Sequence, residues 1–487
     1  MSNLHFLTLT LAAALGAQAQ NSGAAFNLPP CAGDSATDDT PILWNAMRQS
    51  SSSIFFLSPS RTCYVNFAGP FRLPVGIKLI GTPGRSILRP YTTSKSLAQI
   101  DNSDITFEGL TFDAHAPVIS GTQDSLIFVM NASRVNLVNN RFLPSPGGSM
   151  QRGNAVWYYN SSGRIQDNDF SDFRNQIIVR AASGLNPEIS ITGNHLHDNS
   201  VAGGNAIAIS NDGGSVKVDL PAVIEANTIQ NIHASSSSTG QDGNAVDIYL
   251  ANHVRVSNNH VENVAFSCYR SASSDDAAFT ANYCAGTGET AAYSEFTSTH
   301  NQWLNNYFAN AHGACLNLTN LNVGGEMHTA IGNHMLKCGS SGIHAEGNAV
   351  VYGNTIDQSG NGVLIGYGSY GVNVLVKDNL ITDTSGSNIT QFGIGVEAGA
   401  NSGVQIEGNR IDLGANWIIT TEFGAPSSST AMPPSLTVRN QALTFAMLGS
   451  PSDGSLVYCP NCRPTPVCLP NGGGAFAKRV SGAWVCQ

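Results

Sequence analysis

Five residue types that do acid–base and electrostatic chemistry recur at one position of five short segments. They are Asp247, Arg270, Tyr293, Asn317 and His344, central in 245–249, 268–272, 291–295, 315–319 and 342–346. Each segment alternates an apolar or small residue with a polar one, the period of a half-buried strand. If the five strands stack in parallel, the central residues form a column outside the core. Neighbours would be ~4.8 Å apart, and the four steps from Asp247 to His344 would span ~19 Å, the length of several sugar rings. Two positions on runs a second column: Tyr249, Ala272, Glu295, Thr319 and Glu346.

Such a set suits two reactions on glycans. β-Elimination from a uronate needs the carboxylate neutralised, a base for the C5 proton and an acid for the leaving oxygen. Arg270 would neutralise charge or, in a suitable environment, take the proton, with Tyr293 and His344 as base and acid. Asp247, Asp275 and Asp276 offer hard oxygen ligands for Ca²⁺, and Asn317, Tyr249, Glu295 and Glu346 would hold substrate. Glycoside hydrolysis needs two carboxyl groups, which Asp247, Glu295 and Glu346 supply. Glu295 and Glu346 would be roughly 9–10 Å apart, near the upper end of the inverting range. Trp157, Tyr158 and Tyr159 offer a platform on which sugars stack. The competing reading is structural: outward strand positions on any stack of strands are polar, and Asp247 beside Arg270 can be a surface pair worth ~0–1 kcal/mol. Against it, the columns turn bland on both sides, at Ala208 and Ser210 upstream and Leu364 and Gly366 downstream.

The elements that must position these residues recur along the chain. From about residue 100, alternating β-branched residues run into Asn or Gly-Asn and then an apolar residue, with closing asparagines at 140, 168, 194, 227, 259, 306, 333, 354, 379 and 409. Most gaps are 21 to 33 residues, and the gap of 47 between Asn259 and Asn306 reads as an insertion. A recurrence of this length signals a solenoid. Asparagine fits because it tolerates a left-handed turn and hydrogen-bonds nearby backbone, and stacked asparagines can pair from coil to coil. Neither a 3.6-residue period nor a leucine ladder is present, which leaves an all-β parallel β-helix. Fifty glycines and 11% charged residues agree with many short strands joined by turns.

The ends read differently. Residues 4–19 are apolar or small and close on Ala17-Gln18-Ala19, the pattern of a signal peptide, although no Lys or Arg precedes Arg48. Residues 20–70 read as a cap: Asp38-Asp39-Thr40-Pro41 starts a short helix, and a solenoid's first coil needs covering. The β-helix is expected over 71–425, followed by a linker and cysteine-rich tail at 426–487. Ten cysteines in an exported chain imply disulfides, with Cys31–Cys63 the favoured pair; the last four, Cys-x2-Cys-x5-Cys-x17-Cys, also admit a zinc reading. The net charge of -10 argues against nucleic acid. No apolar run after the leader is long enough to span a membrane. Between 241 and 347, nine acidic residues face three basic ones, which suits a bound cation or an uncharged substrate better than a bare polyanion.

Thr37-Asp38-Asp39-Thr40, Gly81-Thr82-Pro83-Gly84 and Gly109-Leu110-Thr111-Phe112-Asp113 resemble the entry coils of the pectate-lyase-like superfamily. The segments 265–270, 288–296, 324–326, 342–346, 362–368 and 393–397 are similar to an uncharacterised family of exported, twin-arginine-translocated repeat proteins, although this chain lacks the twin arginine. The superfamily resemblance implies a right-handed β-helix and, often, action on acidic polysaccharides. The Asn-Thr-Asp and Gly-His-Gly motifs associated with polygalacturonases are absent.

Together these readings give a secreted or periplasmic protein acting on a polysaccharide or oligosaccharide. A lyase stands ahead of a hydrolase or epimerase, and the alternative is a non-catalytic glycan-binding or envelope β-helix. Arg270→Ala and Tyr293→Phe are expected to lower kcat far more than Asp247→Ala, all three with unchanged thermal stability.

Overall fold

In the computed structural model, the alternating segments become short strands, each paired in parallel with the strand one coil away. The structure describes residues 25–423 apart from 60, 92–95, 115–124, 144–152, 200–202, 236–239, 320–326, 367–372, 386–389, 391, 398–403 and 414–416; it also describes 444–486 apart from 449–455 and 466. The expected leader and most of the expected linker lie outside these residues. Among the described residues, three long parallel sheets of 15, 14 and 13 strands wrap one core, making a right-handed parallel β-helix. A representative coil gives Arg255–Ser257 to the first sheet, His260–Val264 to the second and Tyr269–Ala272 to the third. Among the described residues no helix is long and apolar enough to cross a membrane.

The turn between the first and second sheets carries the asparagine ladder. Asn168 Oδ1 accepts from the backbone N–H and the Nδ2 of Asn140, 2.8 and 3.1 Å away, and Asn140 Nδ2 also donates to Phe107 O. The pattern repeats to Asn409. Two details of the sequence reading change. The left-handed residue is the one before each ladder asparagine, such as Asn139, Asp167, Ala281 and Gly332, while the ladder residue keeps ordinary backbone angles. Its side chain is therefore selected for buried amide pairing rather than for turn conformation. The 47-residue gap is not an insertion but two coils: Asn282 Oδ1 accepts from Asn259, and Asn306 Oδ1 from Asn282. Asn282 follows Thr280-Ala281, without the Asn-Asn or Gly-Asn that marks most other turns, so the pattern skipped it.

Parallel pairing begins before residue 71. Phe26–Asn27, Ile54–Phe56 and Lys78–Ile80 already follow one another in the first sheet, so cap and solenoid are continuous. The helix Thr40–Gln49 carries Pro41 in its first turn and buries Leu43 and Met47 on the first coil. Asp39 does not cap it through its side chain. Its carboxylate accepts instead from the N–H groups of Ala32 and Tyr64, tying the entry loop to a strand. Cys31–Cys63 closes this cap. All ten cysteines are paired, including Cys459–Cys462 and Cys468–Cys486, so the zinc reading of the tail is set aside.

Candidate functional site

The third sheet keeps the predicted register. Asp247 pairs with Arg270, Arg270 with Tyr293, Tyr293 with Asn317, and Asn317 with His344, on five successive coils. Alternation forces them outward, because Val246, Ile248, Leu316, Leu318, Ile343 and Ala345 between them fill the core. Beneath the column two inward positions are polar, Ser271 and Ser294. They are satisfied by Asn301 Nδ2 at 3.0 and 3.2 Å, and Trp303 Nε1 donates to Ser294 Oγ at 3.0 Å.

The face is much less open than outward positions usually are. Arg270, Glu295 and Asn317 are each 8% exposed, Glu346 is 3%, and only Tyr249, at 44%, is well exposed. Arg270 is not a surface partner of Asp247. Its Nε and Nη2 both donate to Glu295 Oε2, at 2.8 and 2.6 Å, and its Nη1 to Glu289 Oε2 at 3.1 Å. Its guanidinium lies 5.1 Å from the Tyr293 ring centroid. Gly240, with φ +97°, lies so close that a Cβ there would be 2.8 Å from Arg270 Nη1. Burial acts to lower the Arg270 pKa, but Glu295, Glu289 and Asp247 outweigh it and the net shift is upward. A guanidinium held charged this way is no base, and its Nε, Nη1 and Nη2 are already given to Glu295 and Glu289.

Asp247 Oδ2 accepts from Asn205 Nδ2 at 3.2 Å. Burial raises its pKa to about 7 against the pull of Arg270, with Glu295 and Asp242 pushing the same way as burial. Glu295 is also raised, chiefly by burial and in spite of Arg270. Tyr293 is raised to about 12 by burial and the carboxylates around it, so its hydroxyl stays protonated. His344 Nε2 lies 2.8 Å from Gly366 O. A carbonyl only accepts, so Nε2 carries a proton, and Nδ1 lies 4.0 Å from Glu346 Oε1. Asn317 Oδ1 is buried without a hydrogen-bond partner.

Some candidates fall elsewhere. Asp275 Oδ1 accepts from Lys217 Nζ at 2.7 Å and from Thr299, and Asp276 faces His253 and His300 at 3.7 and 3.8 Å. Both lie past the end of the strand Tyr269–Ala272 and, among the described residues, make no three-ligand group with Asp247. Tyr158 points inward, fully buried, and its hydroxyl donates to Val135 O, so it leaves the stacking platform. Trp157 is on the outer face but only 8% exposed, under the Arg180 guanidinium, and the Tyr159 hydroxyl donates to Asp212.

Sequence reasoning missed the supports. A second amide column, Asn154, Asn175, Asn205 and Asn244, runs along the entry to the third sheet. It ends at Ser267, whose N–H donates to Asn244 Oδ1 and whose Oγ donates to Glu289 Oε2 at 3.2 Å. The signal was present in three Gly-Asn-Ala triplets at 153–155, 204–206 and 243–245.

The chain is thus a right-handed parallel β-helix with a buried, acid-rich cluster on the outer face of one sheet. No family model matches it, and no curated protein does. Solved structures with similar folds include a PL6 alginate lyase in complex with a trisaccharide (11% identity, 84% of this chain and 89% of that one, TM-score 0.43). Another is the A-module of a mannuronan C-5 epimerase from Azotobacter vinelandii (16%, 83% and 100%, TM-score 0.38). A third is PfbA, a surface adhesin of Streptococcus pneumoniae (13%, 94% and 96%, TM-score 0.42). A lyase, an epimerase and an adhesin stand side by side here, so likeness of this order does not select an activity.

Proposed function

We propose that this is an exported carbohydrate-active enzyme that cleaves a uronate-containing glycan by β-elimination on the third sheet. The observation that supports it is the succession Tyr293, Asn317, His344 on three adjacent coils, with a protonated phenol at one end and an imidazole at the other. Between them, Asn317 presents an unpartnered amide oxygen in a buried setting, an unusual cost unless a ligand group answers it. In the reaction His344 Nδ1 takes the C5 proton as the C5–H bond breaks. The electron pair forms the C4–C5 double bond, the C4–O bond breaks, and the Tyr293 hydroxyl gives its proton to the leaving oxygen. Asn317 Oδ1 accepts from a sugar hydroxyl, and its Nδ2 hydrogen-bonds the uronate carboxylate. The Arg270–Glu295–Glu289 cluster acts by holding Tyr293 in place rather than by gripping substrate.

A second reading, hydrolysis, is favoured by one specific observation. Asp247, with its pKa near 7, is the kind of carboxyl that protonates a leaving oxygen at neutral pH, and Glu295 is close enough to raise that pKa. The two readings separate in one assay. The protein is incubated with uronate and neutral polysaccharides, with Ca²⁺ and with a chelator, and both ultraviolet absorbance and new reducing ends are followed. Elimination gives both signals, hydrolysis gives reducing ends alone, and turnover on no glycan would leave a binding protein. Loss of turnover with the chelator that Ca²⁺ restores and Zn²⁺ does not would favour Ca²⁺ on carboxylates of the column, since Asp275 is committed to Lys217 and Thr299.

A further inference from the structure

On the second sheet, away from this column, Asp169, His195 and His197 converge on one point. His195 and His197 are two apart on the strand His195–His197, so their rings leave the same face, stacked with centroids 4.3 Å apart. Asp169 sits on the neighbouring coil at the register position of His195. Its Oδ1 is 3.2 Å from His195 Nδ1 and 3.2 Å from His197 Nε2. Two ligands around a cation at ~2.1 Å in tetrahedral geometry would be roughly 3.4 Å apart, so the spacing already matches.

The surroundings are those of a metal ligand set rather than of a chance ion pair. The other nitrogen of His197, Nδ1, is 2.8 Å from Asp198 Oδ2, and Asn231 Nδ2 donates to the second oxygen of Asp198 at 2.8 Å. A carboxylate on Nδ1 fixes the tautomer that turns the Nε2 lone pair toward Asp169, the carboxylate–histidine–metal arrangement. Arg141 approaches the far oxygen of Asp169, Oδ2, at 3.3 Å and leaves Oδ1 to the imidazoles. All three ligands remain accessible, with side-chain exposures of 38, 48 and 23% for Asp169, His195 and His197.

We propose that Asp169, His195 and His197 bind a late first-row divalent cation, Zn²⁺ foremost, with a fourth position left to water. Two imidazoles and one carboxylate select Zn²⁺, Cu²⁺ or Ni²⁺ over Ca²⁺, which prefers an all-oxygen shell. The ion would join two adjacent coils of the second sheet, independently of the glycan chemistry on the third.

The test is titration of ZnCl₂ into tag-free protein by calorimetry, together with thermal unfolding with and without Zn²⁺. One tight site and a rise in Tm are expected, both lost in His195→Asn/His197→Gln, with Ca²⁺ producing neither. Asp198→Asn should weaken the affinity by about 10- to 100-fold while leaving the stoichiometry at one. Arg141→Gln should tighten it by removing a competing cation. The inference is overturned if wild type binds no Zn²⁺ below millimolar concentration. It is equally overturned if the double variant, folded by circular dichroism, binds as wild type does. Neither result bears on glycan turnover, so the proposed activity stands or falls separately.

Discussion

Arg270 gives two of its nitrogens to a single oxygen of Glu295, one coil along and two residues over. That geometry changes what its removal should do. From the sequence, Arg270→Ala was expected to cost turnover and no stability. With side-chain exposures of only 9 and 11%, the pair is desolvated, and removing one partner leaves a carboxylate in low dielectric without its cation. Arg270→Ala should therefore destabilise the fold by about 3 kcal/mol in chemical denaturation. Arg270→Leu combined with Glu295→Leu should recover much of that loss. An Arg270→Ala variant as stable as wild type would show that the cluster is solvated in solution.

Asp247 should give the protein a pH signature. Its folded pKa is raised to about 7, against about 3.9 for an unfolded aspartate. The folded state thus binds more protons between these values, and stability falls as pH rises through that window, the reverse of an ion-paired carboxylate. Glu295, also raised, adds to the same slope. Asp247→Asn should flatten the profile and leave the variant more stable than wild type above pH 7, on the order of 2 kcal/mol once residual solvent contact is allowed for. Urea unfolding at pH 5 and pH 8 checks this. A wild type that gains stability from pH 5 to 8 while the variant does not would place the Asp247 carboxylate in a favourable ion pair instead.

The ladder predicts where the shaft is most sensitive. Asn282 Oδ1 serves the backbone N–H and Nδ2 of Asn259, and its own Nδ2 donates to Val256 O and to Asn306 Oδ1. Asn282→Ala strands several buried amide groups at once, each worth about 1–3 kcal/mol when left unpaired. A loss of about 3 kcal/mol is expected, well above the few tenths typical of surface changes such as Ser257→Ala. Equal losses at the two positions would mean that the amide stack carries no net stability.

How much of this was legible in the sequence follows from the range of the interactions. The register of the third sheet was readable because each strand alternates locally and the parallel stack repeats the alternation. Five central residues therefore landed on successive coils. Cys31–Cys63 was readable because only two cysteines lie near the cap. The second amide column was not read, because its members are 21 to 39 residues apart and only the Gly-Asn-Ala triplets mark three of them. Nor was the pairing of Arg270 with Glu289, which stands in a loop before its strand and reaches the guanidinium only when the chain closes. Alternation tells which side of a sheet a residue takes. It does not tell how deeply the coils around it bury that side, and here depth turned an expected outward column into a compact charged cluster.

The last prediction divides chemistry from support within the column. Tyr293, Asn317 and His344 are proposed to meet the reacting sugar, whereas Arg270, tied to Glu295, sets its guanidinium against the Tyr293 ring from the neighbouring coil. Tyr293→Phe keeps the ring against Arg270 and removes only the hydroxyl, so its thermal stability should match wild type. Loss of a general acid costs about 10²- to 10⁴-fold, and because a proton transfer is made only in the transition state, the loss should fall on kcat with KM little changed. His344→Gln should behave alike, since its amide can still donate to Gly366 O while supplying no base. Asn317→Ala should raise KM and lower kcat as well, because a hydrogen bond to the uronate carboxylate helps hold the substrate and strengthens as the C5 proton leaves and charge grows on that group. Steady-state kinetics on whichever glycan the screen identifies, alongside thermal unfolding of each variant, makes the comparison. If Tyr293→Phe and His344→Gln turn over as fast as wild type while Asp247→Asn is inactive, the reaction belongs to the carboxylates, and hydrolysis replaces elimination.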